Sequence, residues 1–188
     1  MSPILGIWAS KYTLPTNYYS IATATVTSGG TASITFSSIP QTYTHLQLRA
    51  ITRSDRAVNF ITYGYMQFNG VTGAGNYYAA HQLSGDGTSA TASVDSSSTY
   101  TGDMAVAGGT SLANTFGVNI IDILDYTNTN KNKTVRILEG GDQNNSGSQY
   151  VSLISGLWLS TSAINSITLT AYNGNWAQYT SFALYGIK

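Results

Sequence analysis

The chain contains no cysteine and little charge. The absence of cysteine excludes disulfides and thiolate metal ligands. Charged residues make up 9% of the 188 residues, against about 25% in an average soluble domain. Eight basic residues are balanced by eight acidic residues, whereas nucleic-acid-binding domains usually carry a basic excess. The composition therefore argues against nucleic acid as a partner. It favours permanent association between subunits, because a neutral surface carries no net repulsion.

Long apolar runs are missing as well. No run approaches the roughly 18 residues that a membrane-spanning helix needs, so we expect no membrane partner. Residues Met1 to Trp8 lack the basic region and the long apolar segment of a secretory signal peptide. Nothing in these residues predicts secretion.

Motifs for nucleophilic or metal-assisted catalysis are absent. His45 and His81 lie in different segments without a partner motif, and the chain has no P-loop, HExxH or Gly-x-Ser-x-Gly pattern. Asp86 and Asp142 lie in glycine-rich turns, and each turn offers a single carboxylate. Calcium takes about six to eight oxygens, usually from several carboxylates in one loop. We therefore expect no metal site and interpret both Asp-Gly segments as ordinary turns.

A pair of carboxylates for glycoside hydrolysis is not evident. Asp122 and Asp125 belong to one predicted strand but point to opposite faces, so they cannot form that pair with each other. Other combinations of the eight acidic residues stay open. We expect a protein that is not an enzyme and that needs no cofactor.

Alternation of apolar and polar residues predicts β-strands through most of the chain. The apolar share of 42% is enough to build a core, and no long helical period appears. We predict an all-β fold: one antiparallel β-sandwich of jelly-roll type over residues 21–188. The predicted strands cover residues 21–26, 32–36, 46–53, 60–68, 116–125, 134–138, 150–158, 164–172 and 179–187.

Turn residues refine this prediction. Ser28-Gly-Gly30 predicts that the first two strands form a β-hairpin. Lys131-Asn-Lys133 reads as a polar turn, residues 140–147 as a loop, and Gly156 as a candidate bulge. Residues 69–113 are dominated by Gly, Ser, Thr and Ala, and we expect long loops there with one or two short strands.

Residues 1–20 differ from the rest and are interpreted as an extended N-terminal arm. Pro3 and Pro15 resist regular strand pairing. The arm either folds back over an edge of its own sheet or docks on a neighbouring subunit. In the second case its partner-binding residues are the apolar cluster Ile4, Leu5, Ile7 and Trp8.

Two sets of large side chains are singled out. The strongest strand signals place five residues in the core or in a buried interface: Ile120, Leu157, Trp158, Ile167 and Leu169. The chain also has 14 tyrosines. Aromatic residues near turns either plug the ends of the core or are exposed, where they bind sugars or anchor protein interfaces. These are Tyr77, Tyr78, Trp176 and Tyr179.

Three parts of the chain resemble small virion structural proteins of tailed bacteriophages. The segment Ile4-Leu-Gly-Ile-Trp-Ala-Ser10 is similar to the start of these proteins. The run from Phe36 to Arg49 is similar to their second and third strands. The Gly-Leu-Trp and Ser-Ile-Thr-Leu motifs of residues 156–169, followed by the terminal Leu-Tyr-Gly-Ile of residues 184–187, are similar to their C-terminal end. Residues 88–115 show no such resemblance.

The resemblance implies a β-sandwich virion component and leaves its location in the virion open. We expect a capsid decoration (cement) protein, made in the host cytoplasm, that binds the major capsid protein lattice on the capsid exterior and associates with itself as a homotrimer. The alternative is a tail-fibre or receptor-binding tip protein that binds host surface glycans. The short neutral chain with an apolar arm, and without a long repetitive shaft, favours the first expectation.

Overall fold

The computed structural model describes residues 17–58, 61–94, 100–101, 103–142 and 149–188. In these ranges every named element is a strand, and none of the described residues forms a helix long and apolar enough to cross a membrane. The strands are β1 (Tyr18–Thr25), β2 (Ser33–Phe36), β3 (His45–Thr52), β4 (Ile61–Phe68), β5 (Tyr77–Gly85), β6 (Ala90–Val94), β7 (Asp103–Ala107), β8 (Gly117–Leu124), β9 (Lys133–Asp142), β10 (Gln149–Trp158), β11 (Ile167–Ala171) and β12 (Ser181–Ile187).

The strands form two packed antiparallel sheets, which confirms the predicted all-β sandwich. The large sheet has eight strands in the order β1-β12-β3-β8-β9-β10-β5-β6, and the small sheet has four in the order β2-β11-β4-β7. Every strand pair is antiparallel. The core lies between the sheets, where alternate residues of each strand are buried. Its large sheet contributes residues such as Leu46, Leu48, Ile121 and Ile137, and its small sheet Met66, Phe68 and Leu169.

The predicted hairpin between the first two strands is wrong. β1 pairs with β12 and β2 pairs with β11, so the two strands belong to different sheets. The turn itself exists, because Gly29 and Gly30 adopt φ angles of 94° and 69°, but it carries the chain from one sheet to the other. Val26 and Phe36 are both buried in the core. Crossing between the sheets therefore lets the chain cover the core from both sides.

The expectation of long loops over residues 69–113 is also wrong. The region holds three strands, β5, β6 and β7. β5 pairs with β10, and β6 pairs with β5, so these two strands widen the large sheet. β9 extends through residues 140–142, which the sequence predicts as loop. The predicted bulge at Gly156 is wrong in its position. Between Ser155 and Leu157 the register passes one residue of β10 and two of β5, so the extra residue lies on β5 opposite Gly156, and β10 pairs with β9 in unbroken register.

The boundary of the sandwich also differs from the prediction. β1 begins at Tyr18 and pairs with β12, so residues 18–20 belong to the large sheet and not to an arm. Residues 1–16 of the predicted arm, including Ile4, Leu5, Ile7 and Trp8, lie outside the described residues. Lys133, predicted in a polar turn, is fully buried at the start of β9.

The predicted core residues divide into two groups. Trp158, Ile167 and Leu169 are buried between the sheets, as predicted for the core. Leu157 is half-buried and Ile120 is exposed. Both belong to the side of the large sheet that faces away from the small sheet, which we call the outer face.

Candidate functional site

The outer face carries a row of aliphatic side chains that crosses four adjacent strands. The register places Leu83 of β5 opposite Leu153 of β10, Leu153 opposite Leu138 of β9, and Leu138 opposite Ile120 of β8. Residues directly opposite one another on the same face of a sheet are in contact range. All four side chains are exposed, so they form a continuous apolar strip.

A second row runs beside the first, at an offset of two residues on each strand. It places Val151 opposite Gly85 and Gly140, Gly140 opposite Val118, and Val118 opposite Ile51 of β3. Together the two rows form what we call the apolar patch, whose exposed members are Ile51, Leu83, Val118, Ile120, Leu138, Val151 and Leu153.

The apolar patch is unusual for an antiparallel sheet. Such sheets commonly bury one face and place polar residues on the other. Here seven neighbouring aliphatic residues are each 37–59% exposed. Contiguous exposed apolar patches often mark protein interfaces or ligand grooves. We therefore take the apolar patch as the candidate functional site.

Two shallow depressions of about 580 Å³ and 630 Å³ open on this patch. Gly85 lines both, and Gly140 lines the second. Because neither glycine has a side chain, the second row is lower than the first at these positions. The surface is consequently grooved, with Val151 in the wall of both depressions.

A polar row limits the apolar patch on one side. Arg136 Nη2 lies 2.7 Å from Asp122 Oδ2. Gln47 Nε2 donates to Asp122 Oδ1 at 2.8 Å, and Arg49 Nε donates to Gln47 Oε1 at 2.8 Å. These groups bond to one another, two arginines with one carboxylate and one amide, so the row keeps one positive charge, which lies on Arg49. The apolar patch itself contains no charged side chain.

A second surface feature lies on the far side of the sandwich. Tyr63 and Tyr65 of β4 point away from the core, since the alternating residues Gly64 and Met66 are buried. The rings of Tyr65 and Tyr100 stack at 3.9 Å, and Tyr172 lies 5.3 Å from Tyr65 and 6.4 Å from Tyr63. We call Tyr63, Tyr65, Tyr100 and Tyr172 the tyrosine cluster. The Arg56 guanidinium lies 4.6 Å above the Tyr172 ring and adds a cation–π contact.

A buried polar network joins the two sheets beneath the patch. The Asn119 amide pairs with both backbone groups of Ala105, accepting from its N–H at 3.0 Å and donating to its carbonyl at 3.0 Å. Glu139 Oε2 also accepts from the Ala105 N–H at 2.7 Å, and Glu139 Oε1 accepts from Ser152 Oγ at 2.6 Å. Asn119 and Glu139 thereby hold the β7 edge strand against the large sheet. These contacts give both side chains a structural role.

Tyr150 lies close to this network. Burial is the main cause that raises its pKa to about 12, and the neighbouring Glu139 adds to the effect. Tyr150 therefore stays protonated at physiological pH and acts as a hydrogen-bonding group, with Gln82 Nε2 as a donor to its hydroxyl.

The two histidines are not brought together. His45 is on β3 and His81 is on β5, with β8, β9 and β10 between them, a separation of roughly 19 Å at the usual strand spacing. His45 Nδ1 accepts from the Asp125 N–H at 2.9 Å, and His81 Nδ1 lies 3.2 Å from Ser155 Oγ. Among the described residues no group of three or more His, Cys, Asp or Glu side chains could hold a metal ion.

Asp86 has the contacts expected of a turn residue. Its Oδ1 accepts from the backbone N–H groups of Thr88 and Ser89 at 2.9 and 2.7 Å. These bonds hold the pKa of Asp86 below its ordinary value and close the turn between β5 and β6.

The aromatic residues near turns have different environments. Tyr77 and Trp176 are fully buried, as expected for plugs of the core, and Tyr78 is half-buried. Tyr179 is 66% exposed and has a positive φ of 71°, which is rare for a bulky residue. Sequence reasoning missed the tyrosine cluster and the apolar patch. The available signal for the patch was the presence of aliphatic residues on both faces of β8.

Comparisons with protein-family models, with curated proteins and with solved structures returned no significant match.

Proposed function

We propose that this protein is a virion structural protein of a tailed bacteriophage, most specifically a capsid decoration protein on the capsid exterior. It binds and stabilises the major capsid lattice through protein–protein contacts. The observation that carries the proposal is the apolar patch, a set of seven exposed aliphatic residues that gives a neutral β-sandwich a surface for assembly contacts. The resemblance of three chain segments to small virion proteins supports the same assignment.

We also infer a jelly-roll topology, because the strand order fits one. Strands β1, β12, β3 and β8 in one sheet, and β2, β11, β4 and β7 in the other, reproduce the order of a double four-stranded jelly roll. The hairpin-like pairs β5–β6 and β9–β10 then widen the large sheet. Jelly rolls occur in viral capsid and lectin domains, so this topology suits both hypotheses, and by itself it supports function only by analogy.

Copy number in purified virions tests the decoration hypothesis. We expect hundreds of copies per virion, because a decoration protein follows the repeats of the capsid lattice. Quantitative gel densitometry against the major capsid protein measures this ratio. A count of tens or fewer contradicts capsid decoration and supports a location at the tail.

The alternative is a receptor-binding protein of the tail, and the tyrosine cluster favours it. Tyr63 is 43% exposed, and it adjoins Tyr172, which is stabilised from one side by Arg56. Tyrosine rings present an apolar body with a polar hydroxyl, and this combination suits the faces and hydroxyl groups of sugars. The host ligand under this hypothesis is a surface glycan.

Glycan binding separates the two hypotheses at this surface. If the tail hypothesis holds, the protein binds host-derived glycans on an array, and the Tyr63→Ala/Tyr172→Ala variant loses at least about tenfold in affinity, the effect of removing about 1.4 kcal/mol of contact. Tyr179→Ala is the matched control, because Tyr179 is exposed but lies outside the cluster. Absence of binding by the wild type, or equal binding by the cluster variant, contradicts a glycan site there.

A further inference from the structure

We propose that the apolar patch is the acceptor site for the N-terminal segment of a second copy of this chain. In this arrangement Ile4, Leu5, Ile7 and Trp8 of one subunit pack on the outer face of the next. The inference deepens the proposed function by naming self as the partner at this surface, and it rests on the protein being a component of an assembly. It does not depend on which part of the virion holds the assembly.

The chemistry of the two surfaces matches. Residues 3–8, Pro-Ile-Leu-Gly-Ile-Trp, carry no charge, and the first charged side chain of the chain is Lys11. The apolar patch likewise contains no charged side chain. Among its charged neighbours, Arg136 and Asp122 are paired with each other, Arg49 opposite Ile120 donates to Gln47 and lies over the rings of Tyr18 and Tyr185, and Asp142 lines the edge of the second depression. Burying apolar groups against one another releases water without stranding a charge.

The shape of the patch suits an extended segment better than a flat surface. The depressions at Gly85 and Gly140 lie beside the ridge formed by Leu138 and Leu153. Pro3 supplies no backbone donor, and Gly6 has a low helix propensity. An extended apolar chain can place alternate side chains into such depressions.

The point at which the chain leaves the sheet favours a neighbouring subunit. Thr25, at the end of β1, pairs with Ser181, which pairs with Ile51 of the patch. Tyr18, at the start of β1, lies roughly 20 Å back along the strand at the usual rise per residue. The Lys188 N–H still donates to the Asn17 carbonyl at 3.2 Å, so strand pairing continues to that residue and the chain leaves in the direction away from its own patch.

The length of the segment allows it to reach another subunit. Residues 4–16 span up to about 43 Å when extended. A contact from the segment of one copy to the patch of the next uses two different surfaces, and such heterologous contacts form rings where the rotation between copies closes and open filaments where it does not. The predicted homotrimer is a ring of this kind.

Four variants of the full-length chain test the proposal by size-exclusion chromatography with light scattering at micromolar concentration. Leu138→Glu alters the patch, and Ile7→Asp/Trp8→Asp alters the segment. Thr134→Glu is the matched control, since it introduces the same charge on the same strand and face outside the patch. Leu153→Glu is a second patch variant for the case in which Leu138→Glu does not fold. Circular dichroism verifies the β-fold of each.

We expect trimers from the wild type and from Thr134→Glu, and monomers from the patch variant and from the segment variant. Mixing these two variants restores one contact, between the intact segment of one and the intact patch of the other. The mixture therefore gives a complex of one chain of each kind, which cannot close into a ring.

Several results overturn the proposal. A monomeric wild type shows that the segment covers its own patch or that the patch binds a different protein. Oligomers of a folded patch variant show that the contact lies elsewhere. Failure of the mixture to form the two-chain complex, when each variant alone is monomeric, contradicts a contact between the segment and the patch. A segment variant that stays oligomeric beside a monomeric patch variant shows that two patches pair with each other. All of these outcomes are independent of the virion copy number, so they are distinguishable from failure of the proposed function.

Discussion

Trp158→Ala is expected to lower the free energy of unfolding by about 3–5 kcal/mol, the usual cost of removing a large aromatic side chain from a core. Trp158 ends β10 and is 1% exposed. Its ring lies 5.5 Å from Phe68 of the small sheet and 6.4 Å from Tyr77 of the large sheet. The substitution therefore leaves a cavity at a place where the two sheets contact each other, and the surrounding rings cannot collapse into it without losing their own contacts.

Equilibrium urea unfolding, followed by circular dichroism, measures this loss. Tyr179→Ala is the control, because it removes an aromatic ring that is 66% exposed and leaves the positive-φ backbone with a Cβ in both proteins. We expect a change within about 0.5 kcal/mol for the control. A loss below about 1 kcal/mol for Trp158→Ala contradicts the placement of the ring in the core.

β11 illustrates what alternation predicts well. Its apolar residues recur at every second position, and the prediction that Ile167 and Leu169 are buried is confirmed. Trp158 is also buried as predicted, although β10 carries apolar residues on both faces. The same reasoning predicts the all-β sandwich, because many short alternating strands without a helical period must bury one face of each sheet. These are local properties, and the sequence carries them directly.

The pairing of strands, in contrast, cannot be predicted from local sequence patterns. The hairpin prediction for β1 and β2 failed because a Gly-Gly turn is compatible with a hairpin and with a crossing between sheets. The choice depends on β12 and β11, which lie more distant in the sequence than any hairpin partner. Similarly, β6 alternates only small apolar residues and one valine with polar residues, and it is exposed at all five positions, so it has no core-facing side. β6 forms a strand because it pairs with β5.

Predicting the apolar patch requires both the local residue pattern and the strand partners. Aliphatic residues on both faces of β8 can be seen in the sequence, and they favour burial on both sides of that strand. The residues that lie beside them on neighbouring strands cannot be read from the sequence. The complete row of Leu83, Leu153, Leu138 and Ile120 depends on β5 lying beside β10. Because the sequence predicts loops where β5 lies, it does not predict the end of the patch that contains Leu83.

Lys133 is the second residue for which a large effect is expected, and sequence reasoning placed it in a solvated turn. Its ammonium group is fully buried and donates to three backbone carbonyls, those of Asn128, Lys131 and Thr161. The last two bonds measure 2.9 and 3.1 Å. One side chain thereby joins the β8–β9 connection to the segment that follows β10.

Lys133→Met is expected to lower the free energy of unfolding by about 2–4 kcal/mol, because three carbonyl acceptors lose a charged donor. Methionine fills a similar volume, so the loss reports hydrogen bonding more than packing. Lys131→Met is the matched control. Its ammonium is more than half exposed and pairs with Asp125, and such surface ion pairs contribute about 0–1 kcal/mol.

The pH dependence gives a second test of the same buried group. Burial, reinforced by the nearby Lys131, lowers the pKa of Lys133 below its ordinary 10.5. In the unfolded chain Lys133 therefore keeps its proton up to about pH 10.5, whereas in the folded protein Lys133 loses its proton at a lower pH. Between the two pKa values the unfolded state binds more protons, so stability contributed by Lys133 rises with pH. Urea unfolding of both proteins is measured from neutral pH to values approaching 10.5. We expect the gap in free energy of unfolding between wild type and Lys133→Met to widen as the pH rises. A gap that narrows over this range contradicts a lowered pKa of Lys133 in the folded protein. A Lys133→Met loss no larger than that of Lys131→Met contradicts an ammonium group held by three carbonyls.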